Sequence, residues 1–411
     1  MTHNTAISIL GQRAPHPLCS AVPSRPIRSL YLHVPFCSHK CHYCDFYSLV
    51  DTQDRQAAFA HRLRSELETL SRITDAPSLD TIFVGGGTPS LLAVPLWRDL
   101  LADLHRLFDL SPIVRCGEFT VECNPESVTP ELLETLVSGG VNRLSMGAQS
   151  FNPRHLTLLE RRHNPADVPK AIQRARAAGV SRLSIDIISS IPGQTAQEFR
   201  DDLAAALALG TSHLSCYTLT YEPRTALTAR LGRGEFQPAD EDTEIEMFEI
   251  ALGTLRAAGL ERYEVSNFAR PGHECRHNLA YWRQHEWLAA GPSASGHIAG
   301  HRWKNIPRLD DYLQGQGLPE VVDHEPPDPR RALAELIMTG LRLAEGLDWT
   351  AVRARAPEVA GPHSLARLDR IADGYITREL ALIDGDRLRL TDAGFLLADS
   401  VAADLMRALK A

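Results

Sequence analysis

Several things are scarce in this chain of 411 residues, and each scarcity excludes something. No window reaches ~18 uninterrupted apolar residues, so no membrane span is expected. The opening stretch, MTHNTAISILGQRAPHPLCSAVPSRP, lacks the apolar core of a secretion signal. It is rich in Pro, Ser and polar residues, so residues 1–27 are expected to form a flexible tail and the cytoplasm is the expected compartment. There is no long basic run and the net charge is −8, which argues against general nucleic-acid binding. The eight cysteines show no paired framework beyond one cluster. That pattern suits a reducing compartment with thiols free or bound to metal. With 44% apolar and 23% charged residues, a chain this long buries a large core without disulfides.

What is present is a rhythm. Six β-branched or aromatic runs alternate with amphipathic stretches between residues 28 and 260: SLYLHVPF, DTIFVGG, EFTVECNP, VNRLSMGAQSF, SRLSIDIISSIPG and SHLSCYTLTYEP. Strand alternating with helix predicts parallel strands joined by helical crossovers. Six such units suit either an incomplete (β/α) barrel or an open doubly wound sheet. In the helix after the third strand, Thr129 is placed as N-cap and Gly139 as stop. Residues 261–325 lack this rhythm and are expected to connect. Residues 326–411 read as helix, hairpin and helix, with Asp384-Gly385 at the turn, a winged-helix-like α+β module. From 328 to 411 there are 13 acidic and 12 basic residues, so this module carries no electrostatic footprint for DNA. It is expected to touch protein or cover a substrate.

Chemistry in parallel (β/α) folds sits at the C-terminal ends of the strands. Six unusual groups fall there in register: Cys37-x-x-x-Cys41-x-x-Cys44, Gly85-Gly86-Gly87-Thr88, Glu122-Cys123-Asn124, Gly147-Ala148-Gln149, Asp186, and Thr220-Tyr221-Glu222. Together they predict one site at one rim. The three clustered cysteines leave two metal readings. A structural zinc site takes four ligands, and His39 and His42 inside the loop are available to complete one. A [4Fe–4S] cluster held by three thiolates keeps one iron open, where a substrate can bind and accept an electron.

The cysteine spacing resembles the hallmark of the radical S-adenosylmethionine (SAM) superfamily. The ordered set LYLHVPFCSHKCHYCDF, GGGTPSLL, VECNPE, VNRLSMGAQSF, DIISSIPGQT and RHNLAYW resembles one branch of it. That branch contains oxygen-independent coproporphyrinogen III oxidases and HemW-type heme chaperones. The resemblance runs from about Tyr31 to the C-terminus. It implies a partial (β/α)6 radical SAM barrel with the C-terminal module appended. It implies Cys37, Cys41 and Cys44 as ligands of a [4Fe–4S] cluster whose open iron takes SAM. It also implies SAM contacts from Tyr31, Tyr43, Gly86, Gly87, Thr88, Glu122, Gln149, Arg161 and Asp186, with Arg162 an alternative to Arg161. An aspartate inside SIDII is costly to bury unless hydrogen-bonded, which agrees with a functional role for Asp186.

Two features divide the branch. The oxidases usually carry a fourth cysteine two residues after the third; Phe46 stands there. The run His277-Asn278-Leu279-Ala280-Tyr281-Trp282 matches the HemW-type H-N-x-x-Y-W signature, which implies heme contacts from His277, Tyr281 and Trp282. The bland alternative is a loop whose aromatic residues fill the core. The resemblance therefore implies a heme chaperone that hands heme to an acceptor such as a respiratory protein, membrane-bound or not. The alternative is oxidative decarboxylation of coproporphyrinogen III, in which a 5′-deoxyadenosyl radical abstracts hydrogen from the propionates. Heme degradation is a third, weaker reading.

Overall fold

Six strands follow the expected alternation: β1 (Ser29–Val34), β2 (Thr81–Gly86), β3 (Glu118–Cys123), β4 (Arg143–Gln149), β5 (Arg182–Ser189) and β6 (His213–Thr218). The structure, a computed structural model, describes residues 13–410. The six strands lie side by side in chain order, every neighbouring pair parallel. They form the partial (β/α)6 barrel that the resemblance implies. Their residues are buried along most of their length, as strands covered by helices must be. Helix ends follow the local chemistry. Thr129 caps Pro130–Ser138 by accepting from Leu132 N at 3.2 Å, and Gly139 ends the helix. Thr195 and Glu198 close a reciprocal capping box on Ala196–Ala208.

Residues 261–325 do more than connect. They supply β7 (Glu261–Arg262) and β8 (Asn267–Ala269) beyond β6, and β9 (Trp287–Ala290), β10 (Ser295–Ile298), β11 (His301–Asn305) and β12 (Val321–Glu325) beyond β1. The result is one sheet of twelve strands, ordered β12-β11-β10-β9-β1-β2-β3-β4-β5-β6-β8-β7. Short strands separated by turns hide the period-2 signal, which is why this region read as irregular.

The expected tail is corrected for its described part, 13–27; residues 1–12 lie outside the described residues. Ala14 bridges Val321 through backbone hydrogen bonds of 2.9 and 3.0 Å. His16, Leu18 and Ile27 are buried, and Ser24 N donates to Glu286 at 3.1 Å. Apolar residues spaced singly among prolines dock on an existing surface without forming a periodic element.

The C-terminal module has its own core, around Leu333, Ile337, Trp349, Leu368, Leu388 and Leu405. Its three-stranded antiparallel sheet is ordered β13 (Leu347–Asp348), β15 (Arg387–Leu390), β14 (Ala381–Asp384). The β14–β15 turn holds Gly385 at φ +58°, one residue later than Asp384-Gly385 suggested. Phe248, on the helix Glu241–Ala257, packs against both cores.

A layer of polar side chains closes the base of the barrel, at the N-terminal ends of the strands. Glu118 is fully buried. It accepts from Arg276 N at 3.0 Å, His277 N at 3.3 Å and Cys275 Sγ at 3.2 Å, and pairs with Arg182 at 3.2 Å. Burial alone would raise its pKa, but Arg143 and Arg182 pull it below the usual carboxylate range. Removing this charge strands two buried guanidinium groups. Glu118→Ala should therefore lose on the order of 3–5 kcal/mol in urea unfolding, whereas removing the exposed pair partner Glu131 should change stability by under about 1 kcal/mol.

Candidate functional site

The C-terminal strand ends surround one cavity of about 770 Å³. The loop after β1 carries the three cysteines across it. This loop is closed at its base by Cys37 N to Leu49 O at 2.9 Å and Leu49 N to Pro35 O at 2.8 Å. It is tied further by Leu227 N to His42 O at 2.8 Å and by His33 Nε2 against Tyr47 O at 2.8 Å. Cys37, Cys41 and Cys44 are half-buried and line the cavity. Burial pushes the Cys44 thiol up.

A chain of hydrogen bonds links two of the sulfurs. Thr88 Oγ1 donates to Cys37 Sγ at 3.6 Å and accepts from Asn124 Nδ2 at 3.1 Å. Asn124 Oδ1 accepts from Arg161 Nη2 at 2.9 Å, and Arg161 Nη1 reaches Cys41 Sγ at 3.7 Å. Arg161 also donates to Gly147 O at 2.7 Å. Arg162 is exposed and does not line the cavity. Asn124 was placed at the rim from sequence but not singled out as a ligand contact; its position directly after β3 was the available signal.

Backbone shape does the rest. Glu122 Oε2 accepts from Gly86 N at 3.2 Å. A Cβ on Gly85 would stand 2.7 Å from that oxygen, and Gly86 adopts φ +107° over the His33 ring. Side chains on either residue would push Glu122 or His33 out of place. In β4 the register slips between Gly147 and Gln149, and Gln149 takes φ +65°. This bulge turns the Gln149 side chain into the cavity beside Arg161. Asp186 Oδ1 accepts from Ser145 Oγ at 3.3 Å. Burial raises the Asp186 pKa, and burial followed by the Asp186 charge pushes Glu122 up to about 7.

Of the residues expected at SAM, Tyr43, Gly86, Gly87, Thr88, Glu122, Gln149, Arg161 and Asp186 line the cavity with the three cysteines. Tyr31 does not. Its hydroxyl sits 3.0 Å from His33 Nδ1, and since Nε2 must donate to Tyr47 O, Nδ1 is the acceptor. The Tyr31 hydroxyl thus donates to His33, while its oxygen keeps lone pairs able to accept from another group.

The residues of HNLAYW expected at heme lie apart from this cavity. His277 is fully buried on the helix Arg276–Trp282, at the barrel base. Nδ1 meets Thr81 Oγ1 at 2.8 Å and Nε2 meets Tyr281 OH at 2.8 Å, while the ring stacks on Phe83. Tyr281 packs on Trp287, with centroids 4.5 Å apart. Both imidazole nitrogens are spent inside the protein, and neither His277, Tyr281 nor Trp282 lines the cavity.

The far wall was not foreseen residue by residue. It comprises Phe46, Cys216, Tyr217, Leu219 and Phe248, with Phe395, Leu396 and Asp399 from the C-terminal module. Phe46 is 66% exposed, Tyr217 42% and Leu396 40%, unusual for apolar groups at one mouth. No signal in the sequence tied residues 395–399 to the barrel.

The donor set fits a cluster better than one ion. Among the described residues no three His, Cys, Asp or Glu side chains converge tightly enough to hold a single metal ion, the cysteines included. Three thiols lining one cavity, two of them facing N–H or O–H donors, suit a sulfur-bridged group.

Fold and rim define a radical SAM protein: residues 31–206 match the Radical SAM superfamily and residues 328–397 the HemN C-terminal domain. The heme chaperone HemW of Mycobacterium tuberculosis is 38% identical over 95% of this chain and 97% of its own length. That of Escherichia coli is 33% identical over 92% and 97%. The chain belongs to the HemW family. The solved coproporphyrinogen III oxidase HemN of E. coli superposes with a TM-score of 0.78 over 94% of this chain and 92% of its own, at 21% identity, a likeness of fold.

Two predictions follow from these positions. The Glu122 pKa lies above that of an unfolded glutamate, so its contribution to stability is complete below about 4.3 and is lost as pH rises to about 7. In the cluster-free protein, the stability of Glu122→Gln relative to wild type should rise by on the order of 3 kcal/mol between pH 5 and pH 8, read from urea midpoints at the two pH values. His277→Ala leaves the Tyr281 hydroxyl unpaired, Thr81 with Ser29 as its remaining partner, and a void beneath Phe83. It should lose roughly 2–4 kcal/mol in the same measurement, so any loss of ligand binding in that variant must be judged against its melting curve.

Proposed function

We propose that this chain is a heme chaperone that holds a [4Fe–4S] cluster through Cys37, Cys41 and Cys44, binds SAM beside it and carries heme to an acceptor. SAM would meet Gly86, Gly87, Thr88, Glu122, Gln149, Arg161, Asp186 and Tyr43. When bound, the cluster and SAM supply one-electron chemistry. The chain's own groups have definable tasks. Thr88 and Arg161 offer donors that temper negative charge on Cys37 and Cys41. Glu122 and Asp186 are placed to accept from hydroxyl or ammonium groups. Heme would occupy the outer half of the cavity, between the polar rim and the wall of Phe46, Tyr217, Phe248 and Phe395, where aromatic faces suit a flat macrocycle.

One observation carries this reading over the oxidase reading. Position 46, where the oxidases carry a cysteine, presents an exposed aromatic ring at the cavity mouth. A ring there offers contact area to a bound macrocycle and no thiol for chemistry on it. The full-length likeness to HemW proteins supports the same choice. The acceptor is proposed to be a respiratory heme protein, met in the cytoplasm or at a membrane surface. Among the described residues no helix is long and apolar enough to cross a membrane.

The test is one anaerobic incubation of cluster-loaded protein with SAM, a low-potential reductant and either coproporphyrinogen III or hemin. The expected result is stoichiometric heme binding with a shifted Soret band and no protoporphyrinogen. Protoporphyrinogen over many turnovers would make the chain an oxidase. Replacing Cys37, Cys41 and Cys44 together by Ala should abolish iron and sulfide incorporation.

A further inference from the structure

The C-terminal module meets the barrel along two seams of different character. The first is built from backbone. Glu264 and Leu343 form an antiparallel bridge, Ala344 N donates to Tyr263 O at 3.0 Å, and Arg283 grips Glu345 with bonds of 3.0 and 2.9 Å. The second lies at the cavity mouth and has no backbone hydrogen bond to the barrel among the described residues. There, Asp392 receives Arg256 at 3.1 Å and Arg262 at 3.1 Å. The Arg262 guanidinium lies 3.6 Å over the Phe395 ring, with Phe248 at 5.5 Å. Phe395, Leu396 and Asp399, the next residues along, form cavity wall.

Arg262 is poorly satisfied for so buried a cation. Its side chain is 5% exposed, and Nε and Nη1 have no hydrogen-bond partner. Its one close carboxylate, Asp392, is 46% exposed and shared with Arg256. The ring face favours the guanidinium. The two orphaned N–H groups oppose burial, and water would satisfy them as soon as the seam parted. Opposing terms of this kind leave the second seam finely balanced, while the first keeps its backbone bonds. Arg342, just before Leu343 on the first seam, pairs with the exposed Asp399, so one ion pair within the module links the two seams.

We propose that residues 392–399 are a gate over the cavity, that the Leu343–Glu345 seam is its hinge, and that Arg262 is the latch. Arg262 is then a positioning residue: it touches no ligand and acts through Phe395 and Leu396. A flat macrocycle enclosed between barrel and module leaves when the ring of Phe395 slides from the guanidinium. That use of the gate rests on heme occupying the cavity; the gate itself does not.

The test reads the gate without heme first. In cluster-loaded protein, Cys216, on the cavity wall, is alkylated with N-ethylmaleimide and quantified by peptide mass spectrometry, with exposed Cys116 as internal reference. Hydrogen exchange of the 392–399 peptide is followed in parallel. Arg262→Ala should speed Cys216 labelling roughly tenfold and deprotect 392–399, with Arg262→Lys between it and wild type. The exposed change Asp392→Asn should act in the same direction and serves where Arg262→Ala does not fold. Unchanged Cys216 labelling in a folded variant overturns the gate. The heme off-rate is then measured on the same proteins. Faster release in step with labelling supports both readings; faster labelling with no heme bound upholds the gate and removes heme from the cavity.

Discussion

A carboxylate sealed inside the barrel base sets the terms for the rest of the molecule. Glu118 sits at the first position of β3 without access to water, so every lone pair must be met from within. Arg182 comes from β5, and the amides of Arg276 and His277 and the Cys275 thiol come from the start of a short helix. Arg143, from β4, adds its charge to the same layer. Satisfying one buried charge therefore fixes four elements that are distant in sequence. With the base closed by polar groups of fixed geometry, the barrel opens only at the opposite rim, where the cysteines are.

The rim divides by chemistry. On one side, Thr88, Asn124 and Arg161 connect two sulfurs through hydrogen bonds. Each of these residues follows a different strand, so the chain of contacts exists only when β2, β3 and β4 are in register. On the other side the wall is aromatic and aliphatic, and part of it belongs to the C-terminal module. A ligand with a charged end and a flat apolar body is accommodated by such a division without leaving buried polar atoms unpaired. The module's part of the wall, Phe395, Leu396 and Asp399, is far in sequence from every barrel strand, which makes its attachment the adjustable part of the cavity.

Much of the rim was legible because parallel (β/α) architecture converts sequence position into spatial position. A residue just after a buried run stands at the C-terminal face, whichever strand it follows. That rule placed the cysteines, Gly86, Gly87, Thr88, Glu122, Gln149 and Asp186 at one rim, whereas Arg161, beyond the next helix, was implied by the family resemblance alone. It says nothing about side-chain partners, such as His33, which takes the hydroxyl proton of Tyr31 two residues before it. It also says nothing about elements outside the alternation. The strands of residues 261–325 are two to five residues long and carry too few side chains for a period to show.

HNLAYW shows what a motif does not contain. Histidine, tyrosine and tryptophan are the residue types that bind heme, and they are also those that fill a polar base beneath aromatic rings. The choice depends on which end of the barrel the helix meets. That end is fixed by Glu118, which accepts from the helix's first amides, and by Thr81, the first residue of β2. Both belong to the N-terminal ends of strands, the face that in this architecture serves stability. His277 has a hydroxyl on each ring nitrogen and an aromatic ring on its face, and coordination to iron would require breaking at least one of those bonds inside a fully buried site. The cavity mouth already exposes aromatic groups to solvent. Binding a macrocycle there buries apolar surface that is now in water, whereas binding it at His277 would first dismantle a core that is already satisfied.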